Sequence, residues 1–146
     1  MDIVLKVRRH YDGMALPARA HPNDAGFDLT AMKVEPLRPN VFAFDTGISV
    51  EAAPGYYCEV VPRSSIVNTD FVLANGVGVI DPDYRGAIRV VLRYLGSGEG
   101  AAAAEAFLGK RIAQLLVRRL EPVRVEPVAE LGETPRGEGG FGSTGE

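Results

Sequence analysis

The segment with the clearest chemical character is residues 75–86, which reads Asn-Gly-Val-Gly-Val-Ile-Asp-Pro-Asp-Tyr-Arg-Gly. It runs from a turn through a short apolar strand into a second turn, so polar side chains flank both ends of the strand. Asp81 follows the strand directly, a position at which a partly desolvated carboxylate can accept a proton from water. Asp before Pro is also ordinary turn chemistry, so this segment alone leaves open a general base or a turn cap.

Three other segments carry side chains that suit a charged ligand. Residues 62–65 read Pro-Arg-Ser-Ser, which combines a guanidinium and two hydroxyls where a short helix would begin, as phosphate oxygens require; a simple helix cap is the alternative. Asp28 lies between large apolar residues, and Gln114 lies inside an apolar strand. Taken singly, Asp28 is typical of a surface acid and Gln114 of the solvent-facing side of a strand.

The C-terminal residues 132–146 differ in composition from the rest of the chain. Five glycines fall among residues 136–146, and Phe141 is the only large apolar residue there. Such a tail cannot build a core, and a disordered terminus is the simplest interpretation. An aromatic ring between glycines, followed by Ser143 and Thr144, is also suited to closing over a flat base while hydroxyl and N–H donors meet phosphates.

The elements that must position these residues are predicted to be β-strands. Short apolar runs rich in β-branched residues recur between Gly, Pro and Asn, at residues 3–5, 41–44, 48–50, 56–61, 77–80, 88–92, 112–117 and 123–128. Seventeen glycines and ten prolines leave little room for long amphipathic helices. We predict an all-β fold with a closed or double-sheet body and at most two short helices, at residues 64–70 and 101–107.

Length, charge and cysteine content limit the class of protein. A chain of 146 residues with 46% hydrophobic and 24% charged residues fits one globular domain. Its net charge of -3 argues against binding a nucleic acid polymer. No run approaches the roughly 18 apolar residues of a membrane helix, so no membrane partner is expected. The one cysteine, Cys58, rules out an intramolecular disulfide and favours a reducing, cytoplasmic location.

Five segments, taken in order, resemble the five sequence motifs of the trimeric dUTPase family, at residues 25–31, 62–67, 75–86, 109–115 and 136–145. The resemblance implies a distorted jelly-roll (β-clip) subunit and Mg²⁺-dependent hydrolysis of dUTP to dUMP and pyrophosphate. It also implies a homotrimer whose three active sites each take motifs from all three chains. Residues 1–131 would form the β domain, and residues 132–146 a flexible arm that closes over the site.

The resemblance also implies a role for each matching position. Asp81 would activate the attacking water, and Tyr84 would pack on the deoxyribose and exclude a 2′-hydroxyl. Asn75 and Gly76 would lie where the pyrimidine is read, and Asp28 would meet Mg²⁺ through water. The phosphate-binding positions would be Arg63, Ser64, Ser65 and Gln114. The arm positions that close over the nucleotide would be Arg136, Phe141, Gly142, Ser143 and Thr144, with Phe141 on the uracil.

Three departures from the family pattern stand out: Ser65 where Gly is usual, Phe27 where Tyr is frequent, and an alanine run in place of the strand before the fourth motif. The nearest alternative is dCTP deaminase, a relative that requires a glutamate on the strand after Asp81. The matching position here is Val91, and residues 88–92 contain no acid. Because water cannot readily be activated at a base carbon without one, deamination is disfavoured. A second alternative is a relative that binds nucleotides without catalysis.

Overall fold

The computed structural model describes residues 2–142, and antiparallel β-strands form most of its regular structure. The strands are β1 (Lys6–Arg9), β2 (Phe27–Thr30), β3 (Lys33–Arg38), β4 (Val41–Asp45), β5 (Ile48–Glu51), β6 (Tyr56–Pro62), β7 (Phe71–Leu73), β8 (Gly78–Ile80), β9 (Arg89–Tyr94) and β10 (Arg111–Arg119). A 3₁₀ helix (Ser64–Asn68) follows β6, and a short α-helix, α1 (Gly100–Glu105), precedes β10.

The strands form three sheets in which every pairing is antiparallel. One sheet has the order β2-β10-β6-β8, a second has the order β3-β4-β9-β7, and β1 pairs with β5 in a two-stranded sheet. Strands that are neighbours in a sheet are often distant in sequence, as are β2 and β10. The first sheet therefore brings together four of the five sequence segments that could do chemistry.

One apolar core lies among the three sheets. Leu29, Val60 and Leu115 enter it from the first sheet, and Phe44 and Leu92 enter it from the second, each no more than 2% exposed. Along β2, β6, β9 and β10 these core residues alternate with more exposed neighbours, the pattern expected when one sheet face is buried, whereas Val41–Phe44 of β4 are all buried. Burial of this apolar surface is the main force that holds the sheets together.

Helix α1 occupies the place of the alanine run. Ala104 is buried, and the ring of Phe107, just after the helix, packs edge-on against Phe44 and Phe71 with centroid distances of 5.9 and 5.2 Å. The packing of the Phe107 ring therefore fixes the alanine run in place. Both predicted helices are present, and the predicted all-β class with at most two short helices is confirmed. No helix within residues 2–142 has the length and apolar character to cross a membrane.

Several strand predictions need correction. The strand expected at residues 3–5 begins instead at Lys6, and β2, β3 and β7 were not predicted. Strand β3 carries Pro36, which an edge strand tolerates because one row of its backbone donors faces away from the sheet. The strand expected at residues 123–128 is absent. Its valines are largely exposed, Val123 by 80% and Val125 by 89%, and no strand within residues 2–142 pairs with them.

Candidate active site

Asp81 and Tyr84 lie together at the end of β8. Strand β8 pairs with β6, where Ile80 faces Cys58, and the backbone turns at once, with Tyr84 N donating to the Asp81 carbonyl at 3.1 Å. A cleft of about 220 Å³ opens beside this turn and is lined by Val79, Ile80, Asp81, Tyr84, Ala87 and Arg89. Asp81 is exposed to this cleft and to solvent. Water can thus reach the carboxylate predicted to activate it.

Two buried hydroxyls fix the turn that carries Tyr84. Ser49 Oγ donates to the Gly86 carbonyl at 2.9 Å, and Thr46 Oγ1 donates to the Ile88 carbonyl at 2.7 Å. Both side chains are nearly inaccessible, at 6% and 2% exposure, so water competes little for these bonds. Sequence reasoning missed both residues, because a serine or threonine beside a strand carries no signal of a distant partner. The turn is therefore held from β5 and from the loop before it.

The ring of Tyr84 lies directly over Gly86. A Cβ atom at Gly86 would fall 2.3 Å from the Tyr84 hydroxyl oxygen, well inside contact distance. The same hydroxyl donates to the Ala87 carbonyl at 3.1 Å. Glycine at position 86 is therefore needed for the close approach of the ring, and the ring, 44% exposed, presents its free face to the cleft.

Asn75 and Gly76 form the turn before β8. Gly76 has a φ of +70°, a conformation that costs a residue with a side chain more than it costs glycine. Gly76 N donates to the Leu73 carbonyl at 3.2 Å, and Val77 N donates to the Asn75 carbonyl at 2.7 Å. Asn75 and Asp81 thus flank the two ends of one short strand, as the sequence predicted.

A cluster of charged side chains forms on the same sheet, around β2 and β10. Arg63 Nε lies 2.8 Å from Asp28 Oδ1, and Arg111 Nη1 lies 2.9 Å from Asp28 Oδ2. The Asp28 side chain is only 17% exposed and Arg63 27%, so solvent screens this pairing less than it screens surface ion pairs. We call Asp28, Arg63 and Arg111 the arginine cluster; its formal charge is positive. Arg111 was missed as a site residue, although its segment was singled out.

Gln114 lies beside this cluster, opposite Asp28 in the β2–β10 pairing. Its Nε2 donates to the Pro62 carbonyl at 2.9 Å. A Cβ atom at Gly26 would fall 2.2 Å from Gln114 Oε1, so glycine at position 26 gives the amide its place. Segments 25–31, 62–67 and 109–115 therefore meet in space, as phosphate binding by several segments would require.

Ser64 and Ser65 are exposed at the start of the 3₁₀ helix. Ser65 Oγ lies 3.5 Å from Arg63 Nη1. The side chain at position 65 is accommodated without a change of element, so this departure from the usual glycine leaves the arginine free to reach Asp28. Both hydroxyls remain available to a ligand beside the arginine cluster.

Cys58 lies in β6, between Ile80 of β8 and Val117 of β10. It is 1% exposed, and burial raises the pKa of its thiol. Because a buried apolar setting disfavours the thiolate, the side chain acts as a small apolar residue of the core. This agrees with the interpretation from sequence, which assigned it no part in the chemistry.

The described part of the C-terminal arm makes local hydrogen bonds. Arg136 Nε donates to the Gly139 carbonyl at 2.8 Å within a local turn. Phe141 is fully exposed and has a φ of +49°, which is uncommon for a residue with a bulky side chain, and Gly142 has a φ of +80°. Ser143 and Thr144, also predicted to bind substrate, lie outside the described residues.

Within one chain the two groups of site residues lie at opposite ends of β6. Asp81 follows Ile80, which faces Cys58, whereas Arg63 follows the last residue of β6. Position 63 is five residues beyond position 58, a span of roughly 16 Å in an extended strand. The chain thus brings Asp28, Arg63 and Gln114 together at one place, and Asp81 and Tyr84 at another.

Comparison with known proteins identifies the family to which the sequence is similar. The model of the dUTPase family matches residues 12–145. The chain is 43% identical over 141 residues to the deoxyuridine 5′-triphosphate nucleotidohydrolase of Streptomyces avermitilis, covering 95% of this chain and 79% of that protein. It is 38% identical over 148 residues to the Clostridium kluyveri protein of the same name, covering 97% of each.

Comparison with solved structures concerns the fold. The structure of a Staphylococcus bacteriophage 80alpha dUTPase variant with dUpNHpp superposes with a TM-score of 0.76 at 25% identity, covering 98% of this chain and 99% of that one. The all-β fold expected from the resemblance is therefore confirmed. The match of the family model over almost the whole sequence, together with these relatives, establishes that the chain belongs to the dUTPase family.

Proposed function

We propose that this protein hydrolyses dUTP to dUMP and pyrophosphate. The observation that carries the proposal is the cleft beside the fixed turn, where the exposed Asp81 carboxylate and the Tyr84 ring lie together. A carboxylate within reach of water and an aromatic surface for a sugar are what hydrolysis of a nucleotide needs. The relatives that are 43% and 38% identical to this chain are named as deoxyuridine 5′-triphosphate nucleotidohydrolases.

Asp81 acts as the general base. Its carboxylate takes a proton from a water molecule whose oxygen attacks the α-phosphorus, and the bond from that phosphorus to the bridging β-oxygen breaks, which releases pyrophosphate. Tyr84 packs on the deoxyribose from its fixed position over Gly86, so a 2′-hydroxyl would collide with the ring. The amide of Asn75 and the backbone at Gly76 read the pyrimidine.

Hydrogen-bond donors and positive charges bind the phosphates, and the protein forms no covalent bond with the substrate. Arg63, Gln114 and the hydroxyls of Ser64 and Ser65 supply charge and hydrogen bonds around the arginine cluster. In residues 2–142 no three Asp, Glu, His or Cys side chains gather into a metal site. The Asp28 carboxylate still has free lone pairs and can accept bonds from water on Mg²⁺, which would arrive with the triphosphate. Bound Mg²⁺ would neutralise charge that develops on the phosphate oxygens.

The active site is shared between copies of the chain, in a homotrimer. A nucleotide with its base near Asn75 and its sugar on Tyr84 lies along β8 and directs its phosphates away from Arg63 of the same chain, because β8 runs antiparallel to β6. Phosphates bound in that direction need the arginine cluster of another copy. The exposed valines at positions 123 and 125, which pair with no strand of the described residues, also support association of copies.

The chain divides into a β domain at residues 1–131 and an arm at residues 132–146 that closes over bound nucleotide. Support comes from Phe141, whose ring is fully exposed and so is accessible for stacking on a uracil. Arg136, Gly142, Ser143 and Thr144 would then add donors for the phosphates. A single buried cysteine fits the proposed cytoplasmic location.

The test is pyrophosphate release from dUTP, dCTP, dTTP and UTP, with Mg²⁺ and after chelation. We expect release from dUTP only, and a loss of at least about 100-fold in kcat when Asp81 is replaced by Asn, the usual scale for a lost general base. Ammonia release from dCTP would instead indicate the deaminase, which the absence of any acid in β9 disfavours. Near-normal turnover by Asp81→Asn would show that another group activates the water.

A further inference from the structure

Arg111 owes its position to an irregularity in β10. In the β2–β10 pairing, Gln114 faces Asp28 and Ala113 faces Leu29, but Arg111 faces Thr30, so Ile112 is an extra residue in β10. Such a bulge turns the side chains that come before it to the other face of the sheet. Ile112 and Ala113 are both buried as a result, at 3% and 0% exposure.

Without the bulge, Arg111 would point into the core. Residues two apart in a regular strand share a face, and Ala113 faces the core with Leu29. The extra residue instead places Arg111 on the same face as Asp28 and Gln114. Its guanidinium reaches Asp28 Oδ2 at 2.9 Å, and Arg63 holds the other oxygen at 2.8 Å. The bulge therefore completes the arginine cluster.

We propose that Arg111 is a positioning residue for phosphate binding: it holds Asp28, which in turn fixes the guanidinium of Arg63. This proposal rests on the proposed function. With Arg111 present, the cluster keeps a net positive charge toward the phosphates. Without it, Asp28 and Arg63 form a neutral pair in which the carboxylate is free to rotate and to repel an incoming triphosphate. Arg63 Nη1 also donates to the Arg111 carbonyl at 3.4 Å. Arg111 therefore contacts Asp28 through its side chain and Arg63 through its backbone.

Arg118 provides a matched control. It lies on the same strand, its Nε is 2.9 Å from Glu59 Oε2, and its side chain is 55% exposed compared with 53% for Arg111. That ion pair lowers the pKa of Glu59 and stands several residues from the arginine cluster. Arg118→Gln therefore removes a comparable guanidinium from β10 without disturbing Asp28.

The experiment compares KM and kcat for dUTP in Arg111→Gln, Arg111→Lys, Arg118→Gln, Arg63→Gln and the double variant at positions 63 and 111. We expect Arg111→Gln to raise KM about tenfold with kcat within about threefold of the original, because binding shared by ground and transition states is lost. Arg111→Lys should recover part of the loss. In the Arg63→Gln background, Arg111→Gln should add less than about twofold, since its effect passes through Arg63.

Two outcomes would overturn the proposal. One is a KM for Arg111→Gln equal to that of Arg118→Gln in an enzyme that hydrolyses dUTP. The other is full additivity in the double variant, which would mean that Arg111 acts independently of Arg63. If Arg111→Gln fails to fold, judged by its melting temperature, the same comparison is made with Arg111→Lys. Failure of the unaltered protein to hydrolyse dUTP would refute the proposed function and is a separate result.

Discussion

Replacing Gly86 by Ala should damage the site through Tyr84 while leaving Asp81 in place. The added methyl carbon would lie 2.3 Å from the Tyr84 hydroxyl oxygen and 2.4 Å from the ring carbon that bears it, where ordinary contacts begin at 3.4 Å. The backbone cannot easily yield, because Ser49 holds the Gly86 carbonyl from a buried position. The ring must therefore retreat by about 1 Å.

The size of the effect follows from this displacement. A misplacement of about 1 Å at a positioned group costs on the order of 100-fold in rate. The bond from the Tyr84 hydroxyl to the Ala87 carbonyl would also be lost, at a cost of about 1 kcal/mol, which lowers the melting temperature by only a few degrees. We expect kcat/KM for dUTP to fall 10- to 100-fold and the preference for dUTP over UTP to narrow.

The assay is pyrophosphate release from dUTP and UTP, with thermal melting as the check on folding. Gly98→Ala is the matched control, since a Cβ atom there meets only the Tyr94 hydroxyl, at 3.3 Å, and Gly98 has no part in the proposed site. Unchanged kcat/KM and unchanged preference for dUTP in Gly86→Ala would refute the reasoning. That result would mean that the ring position seen over Gly86 has no part in recognition of the sugar.

Three further predictions concern other parts of the chain. Gly26→Ala should displace Gln114 from Pro62 and raise KM for dUTP with little change in melting temperature, whereas an unchanged KM would exclude Gln114 from phosphate binding. Truncation after Leu131 should leave a folded protein with poor turnover, and unfolding would contradict the arm proposal. Burial raises the pKa of Cys58, so the folded state holds this proton more tightly than the unfolded state. The free energy of unfolding should therefore fall above about pH 8.5 more steeply than in Cys58→Ala, and parallel pH curves in urea titrations would contradict this.

Much of the fold could be predicted because its central strands carry strong local signals. Strands β4, β6 and β10 contain apolar and β-branched residues, and the sequence predicted all three. Strands β2 and β3 were missed because their short sequences hold Asp28, Pro36 and several charges, and only their pairing with β10 and β4 defines them. The segment at 123–128 has the composition of a strand but pairs with no strand in the described part of the chain.

The candidate site also contains some residues that local sequence predicts and others that it does not. Asp81, Tyr84, Arg63 and Gln114 are predicted site residues because their residue types and order follow a family pattern, and their roles stay predictions. Arg111 could not be assigned, since its direction depends on a bulge that only the pairing with β2 reveals. The hydrogen bonds of the Ser49 and Thr46 hydroxyls could not be predicted either, because their partners lie on segments about 40 residues away. Pairing between distant strands decides these contacts, and local sequence does not encode it.

The most direct test of the central claim, that Asp81 of one copy acts with Arg63 of another, is activity after two variants of low activity are unfolded together and refolded. Asp81→Asn and Arg63→Gln are mixed in equal amounts, and pyrophosphate release from dUTP is measured. With sites shared between copies, half of the sites receive an intact base and half of those an intact arginine, so activity should return to about one quarter of the original. Activity no higher than the sum of the two variants refolded separately would contradict the claim.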